Sequence, residues 1–256
     1  MIETALTLPV RAAKPRTAGL TMVIDGGVPL GLFTDQIELG AEYIDYVKFG
    51  WGTSLVTNCL REKISVLDFH GIGYYFGGTL FEKFVLQGQF EDFRRLCQDY
   101  ACAHVEVSNG TIDMSNSEKA GYIRKLAGDF TVVSEVGFKD SGRSEMQPPS
   151  EWIAAITEDL DAGAALVTLE ARESGSSGIC RPDGELRYGL IEDVLSAGIA
   201  VQKLLIEAPT TALQAHLITR IGPDVNLGNV PAAGVIGLET LRLGLRSDTL
   251  TAFEQR

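Results

Sequence analysis

The sequence predicts an α/β chain folded as a single (β/α)8 TIM barrel, and three observations predict it. Eight short segments rich in β-branched and aromatic residues recur along the 256 residues. They are separated by about 20 to 40 residues, which suits a crossover helix rather than a hairpin. No low-complexity stretch or shift in composition marks a second domain, and about 250 residues is the usual size of one such barrel. A doubly wound open sheet is the other arrangement that strand–helix alternation allows.

The strands are expected at 21–25 (TMVID), 43–50 (YIDYVKFG), 71–78 (GIGYYFGG), 103–108 (AHVEVS), 130–137 (FTVVSEVG), 165–171 (ALVTLEA), 203–208 (KLLIEA) and 225–230 (VNLGNV). Between them, residues 90–101 place Phe90, Phe93, Leu96 and Cys97 on one stripe of a helix. Residues 150–164 form a helix starting at Ser150 as N-cap and ending near Gly163. Residues 210–222 end at Gly222 in the same way, and 237–249 form a short last helix. Residues 1–18 are expected as a flexible arm, and 19–256 as the barrel.

Composition limits function. The net charge of −12 disfavours binding to a nucleic-acid backbone, and the arm's Arg11, Lys14 and Arg16 are too sparse for a basic tract. No apolar run approaches a membrane span, and the first residues lack the pattern of a secretory signal. Cys59, Cys97, Cys102 and Cys180 form no C-x-x-C pair, which disfavours zinc and fits a reducing cytoplasm. His70, His104 and His216 show no ligand spacing and read as structural.

Charges collect at strand ends. In residues 165–171, Val167, Leu169 and Ala171 alternate with Thr168 and Glu170, with Arg172 next. Alternate residues of a strand face opposite sides, so one side is apolar and the other ends in an acid and a base. Similar ends carry Asp25, Lys48, Glu106, Glu135 with Lys139, Glu207, and Asn226 with Asn229. A barrel of this type gathers its strand C-termini around one active face. Uncompensated buried charge is costly, so such a gathering must neutralise itself, bind a metal, or bind an anion. The glycine-rich FGWGT, FGGT and ESGSSG loops could bring backbone N–H groups to a phosphate, although glycine is also an ordinary turn residue.

VIDGG, DYVKFGWGTS, GGTLFE, EVSNG, SEVGFK, LEARESG, IEAP, NLGN and LETLRLGLRSDT occur in this order. Together they resemble the phosphosulfolactate synthase family from about Thr21 to Thr249. The resemblance implies a barrel whose active face binds phosphoenolpyruvate with Mg2+ and adds sulfite to give 2-phospho-3-sulfolactate. That is a first step toward coenzyme M. It implies Lys139 as general acid, with Lys48 as second choice. Arg172, Ser174, Gly175, Asn229, Asp25 and Glu106 are the expected substrate-binding residues. Glu135, Glu170 and Glu207 are the expected metal ligands, and Asp25 or Glu106 could replace any of them. A homo-oligomer is expected, because related barrels commonly associate.

Two positions depart from the family's pattern. Gly26 stands where a lysine is expected, and Asn109 where an aspartate is expected. These departures leave room for a diverged enzyme that adds another nucleophile to an enol phosphate. A non-catalytic stress or interaction barrel, like the plant heat-stress-associated proteins that the family also resembles, is the third reading.

Overall fold

The computed structural model describes residues 5–171, 177–181 and 183–254. Eight parallel strands alternate with helices in chain order. They are β1 (Thr21–Asp25), α1 (Leu30–Gly40), β2 (Tyr46–Phe49), α2 (Thr53–Val56), α3 (Leu60–Phe69), β3 (Gly73–Phe76), α4 (Gly78–Leu86), α5 (Phe90–Asp99) and β4 (His104–Val107). The second half continues with α6 (Asn116–Leu126), β5 (Thr131–Val136), α7 (Ser141–Met146), α8 (Pro149–Asp161), β6 (Leu166–Leu169), α9 (Tyr188–Ser196), β7 (Leu204–Glu207), α10 (Thr211–Ile221), β8 (Leu227–Pro231) and α11 (Val235–Arg242).

The sheet order is β3-β2-β1-β8-β7-β6-β5-β4, which curls the chain into a nearly closed (β/α)8 barrel. The ends of that order, β3 and β4, meet at a seam. Across it, the backbone N–H of Gly78 donates to Glu106. A side chain at Gly78 would collide with Ser108 Oγ, so only glycine lets α4 start this close to β4.

Strand alternation sorts the apolar residues into two layers. Met22, Tyr75, Val133, Leu166 and Leu205 pack inside the barrel. Val23, Val47, Val105, Val132, Val167, Leu169 and Ile206 pack between strands and helices. The alternation expected in 165–171 holds: Val167, Leu169 and Ala171 join the outer layer.

Each expected strand is present, shortened at one end or both except for 21–25, which holds, and for the last, which starts later and runs one residue further. The expected helices shift at their ends, two of them for a visible reason. α8 starts at Pro149 with Pro148 as N-cap, not at Ser150, because proline suits the first helical position, where no N–H partner is needed. α11 spans Val235–Arg242, so most of the segment expected to be helical up to 249 lies beyond it, past Gly244 at φ +68°. Thr210 caps α10 by accepting from Leu213 N, and Gly222 ends that helix as expected.

The arm lies against the N-terminal end of the barrel. Arg11 pairs with Asp224 and Glu239, and Arg16 pairs with Asp45. No helix among the described residues is long and apolar enough to cross a membrane.

Candidate active site

At the C-terminal ends of the strands lies a cavity of about 390 Å3, lined by Ile24, Lys48, Gly50, Trp51, Gly77, Gly78, Thr79, Glu106, Thr111, Glu135, Lys139, Glu170, Glu207 and Asn229. Each charged residue arrives on a different strand or just beyond one. β2 carries Lys48, β4 Glu106, β5 Glu135, and β7 Glu207. Glu170 follows β6, and Lys139 follows β5.

The four glutamates are almost fully buried, as is Lys48. Lys48 Nζ lies 2.8 Å from Glu207 Oε1, 3.3 Å from Glu106 Oε1 and 3.8 Å from Glu135 Oε2. Lys139 Nζ lies 3.1 Å from Glu135 Oε1 and 3.9 Å from Glu170 Oε2, and donates to Thr79 Oγ1 at 3.1 Å. The second oxygen of Glu207 accepts from Ala171 N at 2.9 Å.

This group is not balanced. Among the described residues, four carboxylates face two ammonium groups, which leaves two negative charges over if all ionise. Burial is the first cause of the shifts in this group, and the neighbouring charges modify it. Burial pushes Glu106 up to about 7, against the pull of Lys48. Burial, with Glu207 and Glu135 beside it, holds Glu170 well above the carboxylate range. Burial also raises Glu207, with Lys48 opposing. Glu135 goes the other way. Burial would raise it, but Lys139 and Lys48 on either side hold it at about 2. One oxygen from each of Glu135, Glu170 and Glu207 lies within 4.8 Å of the others, close enough to share a cation.

A lysine donates a proton most readily when burial or neighbouring cations lower its pKa toward neutrality. Burial does pull Lys139 down, but Glu135 and Glu170 outweigh it and hold it above the ordinary lysine range. Lys48 is held up in the same way by Glu106, Glu207 and Glu135. Both lysines are cations here.

Asp25 stands apart from this group. Its Oδ1 accepts from Gly27 N and Val28 N at 2.9 and 2.8 Å, and its Oδ2 pairs with Lys63 of α3. It does not line the cavity. Arg172, Ser174 and Gly175 lie outside the described residues.

Neither of the two departures from the family pattern is a lining residue of this cavity. Asn109 is tied to Met114 O at 2.9 Å and faces a neighbouring cavity between α6 and α8. Gly26 lies under Trp51, where an added Cβ would sit 3.1 Å from the ring. Residues that sequence reasoning did not select include Thr79, which holds Lys139, and Tyr75, whose buried hydroxyl has no partner. Both sit in residues 73–79, GYYFGGT, where the alternation points Tyr75 inward beside Lys48.

Comparison with known proteins adds a family. The sequence matches the family described as (2R)-phospho-3-sulfolactate synthase (ComA) over residues 9–248. It is 50% identical to the phosphosulfolactate synthase of Bacillus subtilis over 249 residues, covering 97% of this chain and 99% of that one. It is 37% identical to the phosphosulfolactate synthase of Methanothermobacter thermautotrophicus, covering 94% and 95%. Among solved structures, 3-keto-L-gulonate-6-phosphate decarboxylase from Vibrio cholerae superposes with a TM-score of 0.54 at 10% identity, covering 93% of this chain and 100% of that one. That likeness concerns the fold alone.

Proposed function

The chain belongs to the (2R)-phospho-3-sulfolactate synthase family, and on that premise we propose that it adds sulfite to the methylene carbon of phosphoenolpyruvate. The observation that carries this reading is the unbalanced carboxylate cluster with a protonated lysine at its edge.

The reaction joins two anions. The sulfur lone pair forms a bond to the methylene carbon, the double-bond pair moves through C2 into the carboxylate, and C2 takes up one proton. No leaving group departs. Three demands follow: a cation for the carboxylate that gains charge, a proton donor near C2, and a grip on the phosphate.

Mg2+ fits the first. It takes oxygen ligands, and Glu135, Glu170 and Glu207 supply a compact all-oxygen set. With all four glutamates ionised, the two negative charges left over among the described residues suit a divalent ion. When bound, it supplies Lewis-acid stabilisation of the charge that develops on the substrate carboxylate.

Lys139 fits the second. A general acid must start protonated, which the surrounding carboxylates favour; the same carboxylates raise its pKa and so weaken it as a donor while they are unmatched. Thr79 fixes where its ammonium points. Lys48, deeper and bonded to Glu207 and Glu106, orders those carboxylates. For the phosphate, the sequence offers Arg172, whose fork suits bidentate contact, with Ser174 and Gly175 beside it.

The test is 31P NMR on the purified protein with phosphoenolpyruvate, sulfite and Mg2+. A new phosphosulfolactate signal requiring both sulfite and metal supports the reading. Consumption of phosphoenolpyruvate without sulfite, or by another nucleophile alone, assigns a diverged activity. Neither consumption nor binding leaves a non-catalytic barrel.

A further inference from the structure

The loops that follow β4 and β5 lie against each other beside the cavity. Lys139 N donates to Gly110 O at 3.2 Å. A Cβ on Gly110 would lie 2.9 Å from Gly137 O, so glycine is what lets the two backbones approach this closely. The backbone that carries Lys139 therefore rests on residues 108–112. Those residues are held in turn by a side chain outside the cavity wall, Glu82 of α4.

Glu82 is 1% exposed. Its Oε1 accepts from the Ser108 hydroxyl, and its Oε2 accepts from Thr111 N at 2.9 Å and Ile112 N at 3.1 Å. All three donors are neutral, and a buried carboxylate held by neutral donors is costly. Satisfying the loop does not call for it. Thr111 is exposed and Ile112 half-buried, so water can reach their N–H groups. The same helix meets Lys139 at its other end. Thr79, one turn before Glu82 on α4, accepts from Lys139 Nζ at 3.1 Å. One helix thus governs both the backbone and the ammonium of this lysine.

We propose that Glu82 is a positioning residue for the reaction: by clamping residues 108–112 it sets the backbone of Lys139, and so where the ammonium meets C2. This rests on the function proposed above. The physical reason is reach. A lysine ammonium sits on a flexible four-carbon stem, so its place is defined by where the stem starts and where its end is held. Proton transfer needs hydrogen-bond distance, and a misplacement of about 1 Å can cost about 100-fold. The clamp works through hydrogen bonds, so an amide of the same shape should replace most of it. The glutamine oxygen can accept from both N–H groups while its N–H2 donates to Ser108 Oγ.

The test combines two readouts on wild type, Glu82→Ala and Glu82→Gln, with the alanine change also made in Lys139→Ala. The first is amide hydrogen exchange, which needs no turnover. Glu82→Ala should speed exchange of the Lys139 N–H and of residues 111 and 112 by about tenfold or more. The second is steady-state kinetics of sulfite-dependent turnover. Glu82→Ala should lower kcat by about tenfold or more with both KM values near wild type, and Glu82→Gln should recover most of that loss. In the Lys139→Ala background the same change should cost little more, because its effect passes through the lysine. Should Glu82→Ala fail to fold, Ser108→Ala removes the Oε1 contact alone and should show a smaller kcat loss with the same dependence on Lys139. Unchanged exchange, unchanged kcat, equal losses in both backgrounds, a glutamine variant as slow as alanine, or a rise in KM alone overturns the role of Glu82 and leaves the proposed reaction standing. A wild type without sulfite-dependent turnover overturns both, even where exchange shows the clamp.

Discussion

Lysines are buried in two settings in this barrel. In the helical layer, Lys63 of α3 meets Asp25, and Lys119 of α6 meets Asp159, with Ser134 and Asn116 also donating to Asp159. Both lysines are 0% exposed, and each has one carboxylate partner. Inside the barrel, Lys48 and Lys139 are shared among four glutamates. The first setting is closed: cation and anion satisfy one another and fix a helix to its neighbour. The second is open: among the described residues its carboxylates outnumber its ammonium groups, and it borders a cavity. Burial of charge is therefore common to structure and chemistry here. Stoichiometry and access separate them.

The largest expected effect tests the open side. Lys139→Ala should lower kcat by about 100-fold or more, the usual worth of a general acid. The protein should remain folded, because Lys139 stands at the rim with a quarter of its side chain exposed. Measured by 31P NMR turnover and circular dichroism together, retention of more than about a tenth of the activity would remove Lys139 from the proton-transfer step.

The closed side should respond in the opposite way. Lys63→Met leaves Asp25 buried and unpaired, at a cost of about 3–5 kcal/mol. In a chain of this size that lowers Tm by about 10 °C. The KM for phosphoenolpyruvate should not move, since Asp25 does not line the cavity. The double variant Asp25→Asn with Lys63→Met should recover part of the loss, because no lone charge remains. A changed KM without a Tm loss would erase the distinction between the two settings.

How much of this contrast was legible in the sequence depends on the residue. The barrel was legible because Val167, Leu169 and Ala171 alternate with polar neighbours, and the other strands repeat that pattern. Lys48, Glu106, Glu135, Lys139, Glu170, Glu207 and Asn229 were found because strand C-termini in such a barrel converge. Asp25 occupies the same kind of position, so position alone could not separate it. The signal that does is in α3. Lys63 falls on the buried stripe with Leu60, Ile64 and Leu67, and a cation there demands a buried anion nearby. Lys119 gives the same signal beside Ala120, Ile123 and Leu126. The bulge in β8, where the two residues between Leu227 and Val230 face Met22 alone in β1, was not legible, because an extra residue in a strand is defined only by its partner's register. That neither Gly26 nor Asn109 lines the cavity was not legible either. Strand-end position does not say which of two adjacent cavities a loop residue faces.

The open cluster can be closed experimentally. Mg2+ at about a hundred times its dissociation constant should stabilise the protein by about 2.7 kcal/mol, read as a rise in Tm. Glu170→Gln replaces one of the three carboxylates whose oxygens lie within 4.8 Å of each other with a neutral amide and should abolish most of that rise. Asp159→Asn should lower the starting Tm and leave the rise intact, since its carboxylate is already matched by Lys119. Equal metal responses in both variants would show that the cation is not held by the unbalanced set.

A buried titratable group with no partner sharpens the comparison at its weak end. His104 starts β4 at the opposite mouth of the barrel, edge-on to Tyr46, and its Nδ1 is buried without a hydrogen bond. No carboxylate compensates it as Asp25 compensates Lys63, so burial alone acts and lowers its pKa below the ordinary 6.5. The fold thus prefers the neutral ring. The stability this contributes is present above pH 6.5 and is lost as pH falls through the lowered folded value, because the unfolded chain takes up the proton first. His104→Phe keeps an aromatic edge against Tyr46 and removes the titration. Wild type should lose more Tm than this variant between pH 7.5 and pH 5, by the smallest margin of the four effects. An equal loss in both would mean that the His104 ring is protonated in the fold at no cost, and that an unpartnered buried group is better tolerated here than the paired lysines suggest.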